Sequence, residues 1–278
     1  MKKFALLNLI LIILFYSCSQ PTNNPWVDLT HTYDSNSLCW PIDSESHFQH
    51  ILEYWGTTSS KDVSLEKNED KNLPVSESHF YSSFKIKLPE HCGTHLDAPI
   101  HFSEAKWTVD QIPLTSLIGT AYIIDVSAKC KDDRDYQVSI DDVKDFEENF
   151  SEIPEQSIII FKTGYAKFYP NKKLSFGTDS KGRNAISLFH FPGVSPALAE
   201  WIVKAKKAKL VGIDTPSLDY GQSTAFETHQ IFLGNLIPQI ENVGDLDVLK
   251  SKKVNFIALP MKIGTGSGAP VRVIAQDL

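Results

Sequence analysis

Positive charge is in short supply. The 278-residue chain carries 27 Lys and Arg against 34 Asp and Glu, a formal net charge of −7. The basic residues fall in small groups such as Lys204, Lys206, Lys207 and Lys209, interleaved with apolar positions as a helix shows them to solvent, and they form no nucleic-acid footprint. Cysteine is scarce too, with 4 residues in a chain of this size, which excludes the disulfide framework of a small secreted module. Cys39, Cys92 and Cys130 lie in the body of the chain, so one pair can form in an oxidising compartment while at least one thiol stays outside any intramolecular bridge. An internal repeat is absent, as is a heptad segment long enough for a coiled coil. Gly264, Gly266 and Gly268 permit a tight turn, but neither a dinucleotide fingerprint nor a lysine-bearing phosphate loop accompanies them.

The apolar run Phe4 to Phe15 falls short of the roughly 20 residues that span a bilayer. Lys2 and Lys3 precede it, and Tyr16, Ser17 and Cys18 follow, so residues 1–18 read as a processing signal of the bacterial lipoprotein type. Cys18 is then the lipidated first residue of the mature chain, an uncleaved membrane anchor being the alternative. Both place the rest of the protein outside the cytoplasm, attached to a membrane. Residues 19–25 read as a tether. Residues 26–278 read as one domain, because apolar segments recur without a long linker.

Trp26 to Cys39 reads as an opening strand and turn, and Thr57 to Pro74 as a polar surface loop or flap. Phe84, Ile86 and Leu88 alternate with Lys85, Lys87 and Pro89, which predicts a strand with one buried face leading into the motif that follows. Ala121–Val126 and Ser157–Phe161 are apolar runs suited to buried strands, and Ser139–Phe150 carries a helical stripe at Val143 and Phe146. Thr163 and Gly164 read as a turn bordering a site, with Tyr165 and Tyr169 as packing residues near it. Ser195 and Pro196 open a helix, the first as cap and the second at the first helical position, before the strand Leu210–Ile213. Thr224–Leu233 reads as a short helix and Asn255–Pro260 as a further strand. This alternation supports an α/β or α+β domain without fixing strand order.

The strongest chemical signal is HCGTHLDAPIH. Side chains alternate with period two in extended backbone, so His91, His95, Asp97 and His101 share one parity, although Pro99 prevents a regular strand through the whole run. Gly93 has the same parity and would leave open space beside them. Clustered imidazoles and a carboxylate need a compensating partner when buried, and that donor set suits zinc, manganese or iron. Cys92, of opposite parity, reads as a packing residue first and a ligand second.

In HCGTHLDAPIHF (His91–Phe102) the chain resembles the metal-dependent cyclase family, which includes bacterial kynurenine formamidase and isatin hydrolase. Weaker matches follow in family order: WVDLTHTYD from Trp26, VGIDTPSLD from Val211, IEN from Ile240 and ALPMKIGTGSGAPVRVIA from Ala258. The resemblance implies a swivelling β/β/α-type α/β domain assembled into homodimers or larger homo-oligomers. It implies His91, His95 and Asp97 as metal ligands and His101 as the catalytic acid/base. In two-metal members Asp97 bridges, His229 matches a later histidine ligand and Glu241 a later glutamate ligand, whereas one-metal members bind a single Zn or Mn ion. The activity implied is hydrolysis of a formamide or cyclic amide by metal-activated water, on a small-molecule amide or aromatic substrate such as N-formylkynurenine, with isatin as the nearest alternative. Polyketide-type cyclisation or dehydration, and a non-catalytic metal-stabilised surface binding protein, are the other readings. Tyr165, Phe168 and Trp40 assign no aromatic pocket by sequence alone.

Overall fold

The computed structural model describes residues 25–41, 49–58 and 79–278. The signal, Cys18, nearly all of the tether and most of the polar stretch 57–74 lie outside them. Among the described residues no helix is long and apolar enough to cross a membrane.

The main sheet is built from β1 (Val27–Asp28), β4 (His95–Asp97), β5 (Ile118–Asp125), β7 (Ser157–Lys162), β9 (Ala208–Ile213), β10 (Gln239–Glu241), β11 (Lys253–Pro260) and β12 (Gly268–Asp277), in the order β1-β12-β11-β5-β7-β9-β10-β4. β5, β7, β9 and β10 run parallel, β11 and β4 run against them, and β12 pairs antiparallel with β11; β6 (Gln137–Val138) and β8 (Gly193–Val194) form a separate short parallel pair. β4 also pairs with β12, so the sheet curls until its far strand meets its near one and forms a barrel. The α/β expectation holds, with helices as the parallel crossovers.

Alternation along the strands builds two cores. Leu96, Ala121, Ile123, Ile158, Ile160, Leu210, Ile240, Phe256 and Val271 point to the inside, where they pack as one buried cluster. Tyr122, Ile124, Ile159, Phe161, Val211 and Ile213 point outward and are covered by helices. Burying a side chain such as Phe161 contributes about 1.5–3 kcal/mol.

The helices are α1 (Leu114–Leu117), α2 (Ser127–Asp132), α3 (Ile140–Asn149), α4 (Lys172–Phe176), α5 (Pro196–Lys204) and α6 (Glu227–Gly234). Helix α3 starts at a capping box between Ser139 and Asp142 and turns Val143 and Phe146 into the core. Helix α5 begins with the expected Ser195 cap, whose hydroxyl accepts from Leu198 N–H, and with Pro196 in the first turn.

Three expectations need correction. The alternating strand exists as β3 (His79–Lys87), but it pairs with β2 (Gln49–Thr58) in a separate two-stranded hairpin, and Ile86 is 57 % exposed. Phe84 and Leu88 on the same face are only partly buried, and β2 takes Thr57 and Thr58 from the predicted loop. Cys92 is not simply a packing residue: it forms a disulfide with Cys39, 53 residues away, and the two segments meet as an isolated antiparallel bridge. The space beside Gly93 is not open either. A Cβ built there would lie 2.8 Å from the Tyr33 ring, and the residue has φ +61°, so glycine is needed on both counts.

Candidate active site

β4 is three residues long, and its pleat decides the site. Leu96 points into the barrel, so His95 and Asp97 must point out of it. The register sets Glu241, the last residue of β10, directly opposite His95. His91 precedes β4, a short 3₁₀ turn Pro99–His101 follows it, and His229 comes from α6. His95, Asp97, His229 and Glu241 are at most 4 % exposed.

Their polar atoms converge. His91 Nδ1 lies 2.7 Å from Asp97 Oδ1, and His95 Nε2 lies 3.3 Å from the same oxygen and 3.4 Å from Glu241 Oε2. His229 Nε2 lies 3.3 Å from Asp97 Oδ2 and 3.0 Å from Glu241 Oε1. Hydrogen bonds on the far side of each ring say which nitrogen carries the proton. His95 Nδ1 donates to the Gly93 carbonyl at 2.9 Å, and His229 Nδ1 donates to Asp219 Oδ2 at 2.6 Å. Ser267 donates its hydroxyl to Glu90, a carboxylate that can only accept, so at 3.0 Å Ser267 Oγ accepts from His91 Nε2.

Three neutral imidazoles arranged this way aim lone pairs at two carboxylates. Acceptors facing acceptors at these distances repel unless a cation lies among them, either protons or a metal ion. Protons can play that part. Burial alone would depress the His95 imidazole, but the Asp97 hydrogen bond and the Asp97 and Glu241 charges raise it from 6.5 to about 9. Against the same burial, Asp219, Asp97 and Glu241 hold His229 well above its ordinary value. Burial also opposes the charge on Asp97, yet the surrounding histidines hold it well below the carboxylate range. The mixed nitrogen and oxygen donor set equally fits a divalent ion such as zinc or manganese. Two candidate groups, His91–Asp97–His101 and His95–Asp97–Glu241, share Asp97.

His101 stacks on His91 with ring centroids 3.9 Å apart. Burial, with the neighbouring histidines, outweighs the attraction of Asp97 and takes its imidazole from 6.5 down to about 4. These groups line a 290 Å³ cavity together with Leu38, Trp40, Phe102, Phe176, Pro216 and Phe226. Phe102 lies 4.9 Å from the His229 ring and 5.5 Å from Phe226. The pocket thus combines titratable groups with a largely aromatic lining.

The Cyclase family model matches residues 27–220, more than half of the chain. This chain belongs to the Cyclase family. Among curated relatives, this cyclase-family chain is 26 % identical over 223 residues to isatin hydrolase of Roseibium aggregatum, covering 74 % of this chain and 82 % of the relative. It is 27 % identical over 251 residues to kynurenine formamidase of Salinibacter ruber, covering 90 % and 97 %. In fold it is similar to isatin hydrolase A from Labrenzia aggregata bound to benzyl benzoate, with a TM-score of 0.74 at 22 % identity over 97 % of this chain and 99 % of that one.

The cyclase-family structure brings together every residue singled out for the site: His91, His95, Asp97, His101, His229 and Glu241. It does not bring Thr163, Gly164, Tyr165 or Phe168 there; these line a separate cavity. Thr163 and Gly164, with the Tyr165 N–H, instead hold Asp214 through hydrogen bonds of 2.6–3.0 Å, so Asp214 is an anchor between strand ends. Burial pushes that carboxyl up against these donors. Tyr169 stacks on His31 instead. Asp219, Glu90, Ser267 and the phenylalanine wall were missed from sequence. Asp219 lies ten residues before His229, a spacing with no periodic signature, and it is visible only as a carboxylate inside VGIDTPSLD.

Proposed function

We propose that this chain is a metal-dependent hydrolase that cleaves a formamide or cyclic amide carried on an aromatic frame. The observation that carries this is the set of three imidazole lone pairs and two carboxylates converging on the floor of an aromatic-walled cavity. His91, His95, Asp97, His229 and Glu241 would hold the ion, zinc or manganese, one or two per chain. Such an ion, when bound, acidifies water and polarises a carbonyl.

The chain's own residues supply the rest. Asp219 and the Gly93 carbonyl fix the two buried rings so that the ligand nitrogens stay aimed. His101, on the cavity wall and stacked on His91, takes the proton of the attacking water and returns it to the departing nitrogen. Trp40, Phe102 and Phe226 hold an aromatic ring and keep bulk water from the floor.

The test is hydrolysis of formylated aromatic amines, N-formylkynurenine among them, and of isatin by purified protein, metal-stripped and then reloaded with Zn²⁺ or Mn²⁺. Turnover restored by metal is the expected result. Folded, metal-loaded protein that hydrolyses none of them would refute the assignment.

Lipid attachment through Cys18 and an extracytoplasmic location are supported by the leader pattern and by the Cys39–Cys92 disulfide, since such bonds persist in oxidising compartments. Cys18→Ala should move the protein from the membrane to the soluble fraction; unchanged fractionation counts against lipidation. A homo-oligomeric state rests on the family resemblance and is read by light scattering.

A further inference from the structure

The glycine-rich turn 264–268, which leads into β12, closes on His91, far away in the sequence. His91 precedes β4, so no strand pleat orients its ring, and at 22 % side-chain exposure it is less buried than His95, Asp97, His229 or Glu241. Neighbours orient it instead. His101 stacks on it with the ring planes 22° apart, and Gly268 passes so close that any Cβ there would strike the ring. A third contact places its proton. His91 Nε2 donates to Ser267 Oγ at 3.0 Å, and Ser267 Oγ donates to Glu90 Oε2 at 2.6 Å. That carboxylate oxygen also accepts from the backbone N–H of Ser267 at 3.0 Å and of Gly268 at 3.2 Å. With three donors on one acceptor, the hydrogen bonds run one way, from ring to hydroxyl to Glu90.

The direction matters because the other ring nitrogen has a competing use. His91 Nδ1 lies 2.7 Å from Asp97 Oδ1, so a proton placed there would bond to a carboxylate and cover the lone pair that an ion needs. An acceptor at Nε2 keeps the proton on the far side of the ring. We propose that Glu90 and Ser267 are positioning residues: Glu90, acting through the Ser267 hydroxyl, holds the His91 proton on Nε2 and leaves Nδ1 bare for the ion. This rests on the metal-centre reading, in which His91 is a ligand. It gives the glycine turn a task, since the turn delivers the hydroxyl and makes way for the ring.

The test is Zn²⁺ titration of metal-stripped protein against a chromophoric chelator, with thermal unfolding of the same metal-free samples. Ser267→Ala should weaken zinc binding by about 10–100-fold, while Ser267→Thr, which keeps the hydroxyl, stays within about threefold of wild type. Glu90→Ala should weaken it too, and the double variant should bind no more weakly than the weaker single one, because both substitutions break one chain of hydrogen bonds. Residues that served only the turn would lower the metal-free unfolding midpoint and leave zinc affinity alone. Unchanged affinity in Ser267→Ala, an equal loss in Ser267→Thr, or additive losses in the double variant each overturn the assignment. Wild type that takes up no zinc refutes the metal centre and the proposal together, whereas zinc-binding wild type beside an unaffected Ser267→Ala refutes the proposal alone.

Discussion

Replacing Asp219 by Asn isolates how much of the centre's affinity comes from orientation. Asp219 touches no candidate ion position; it accepts from His229 Nδ1 at 2.6 Å, from the backbone N–H of His229 and Thr228 at 3.1 and 3.2 Å, and from Ser223 Oγ at 3.0 Å. With a carboxylate there, His229 must carry its proton on Nδ1 and leave Nε2 bare. An amide can present N–H₂ to the ring, which stabilises the other tautomer and covers the ligand nitrogen with a proton. Loss of such a supporting carboxylate weakens metal binding by about 10–100-fold, or about 1.4–2.7 kcal/mol. The same substitution removes the charge that Asp219 sets against the first N–H groups of α6, costing about 1 kcal/mol of fold stability whether or not metal is present. The two effects separate by assay. Zn²⁺ titration of stripped protein against a chromophoric chelator reads the first, and thermal unfolding of metal-free protein reads the second. Zinc affinity within twofold of wild type would refute the idea that His229 is a ligand held by Asp219.

Further outcomes follow from other contacts. His101→Gln should lower kcat by about 10²–10⁴-fold while zinc affinity stays near wild type; a parallel collapse of affinity would make His101 a ligand, as its place beside His91 and Asp97 allows. Breaking the Cys39–Cys92 bond, by Cys39→Ser or by reductant, should lower unfolding stability by up to about 4 kcal/mol for a 53-residue loop, and an unchanged denaturation midpoint would contradict this. Burial opposes the charge of Asp142, but Lys129, Ser139 and Tyr136 outweigh it and hold the carboxyl below its ordinary value. Its folded value lies below the unfolded one, so its contribution is present above about pH 3.9 and fades as pH falls through the folded value. Asp142→Asn should therefore cost about 2 kcal/mol at pH 7 and progressively less below pH 4 in denaturant titrations; a gap that persists in acid would refute the sign.

The ligand set was legible because part of it is local. His91, His95, Asp97 and His101 fall within eleven residues, and their common parity survives in the folded chain even though only His95–Asp97 is a strand. The Ser195–Pro196 start of α5 was legible for the same reason: capping is decided within four residues. What the sequence hid is non-local. Nothing near Glu241 says that it will stand opposite His95, and nothing near Trp40 says that Phe226 will meet it edge-on at 6.1 Å. Ile86 misled because alternation reports which face could be buried, not whether a second layer exists to bury it. Cys92 misled because parity against the ligands describes only its own segment, and its partner lies in another.

The barrel closes on its shortest strand. β4 meets β10 on one side and β12 on the other, and both partners lie more than one hundred residues further along the chain. A cut anywhere between Phe102 and Leu236 sends His95 and Asp97 off on one fragment and Glu241 on the other. No contiguous excision shorter than residues 91–270 carries both the donor set and the strand pairings that seat it. Grafting the eleven-residue motif elsewhere would move most of the imidazoles but leave behind Glu241, His229 and the glycine seat at position 268, where a Cβ would lie 2.5 Å from His91 Cε1. The centre belongs to the seam and is inherited only with the closed ring.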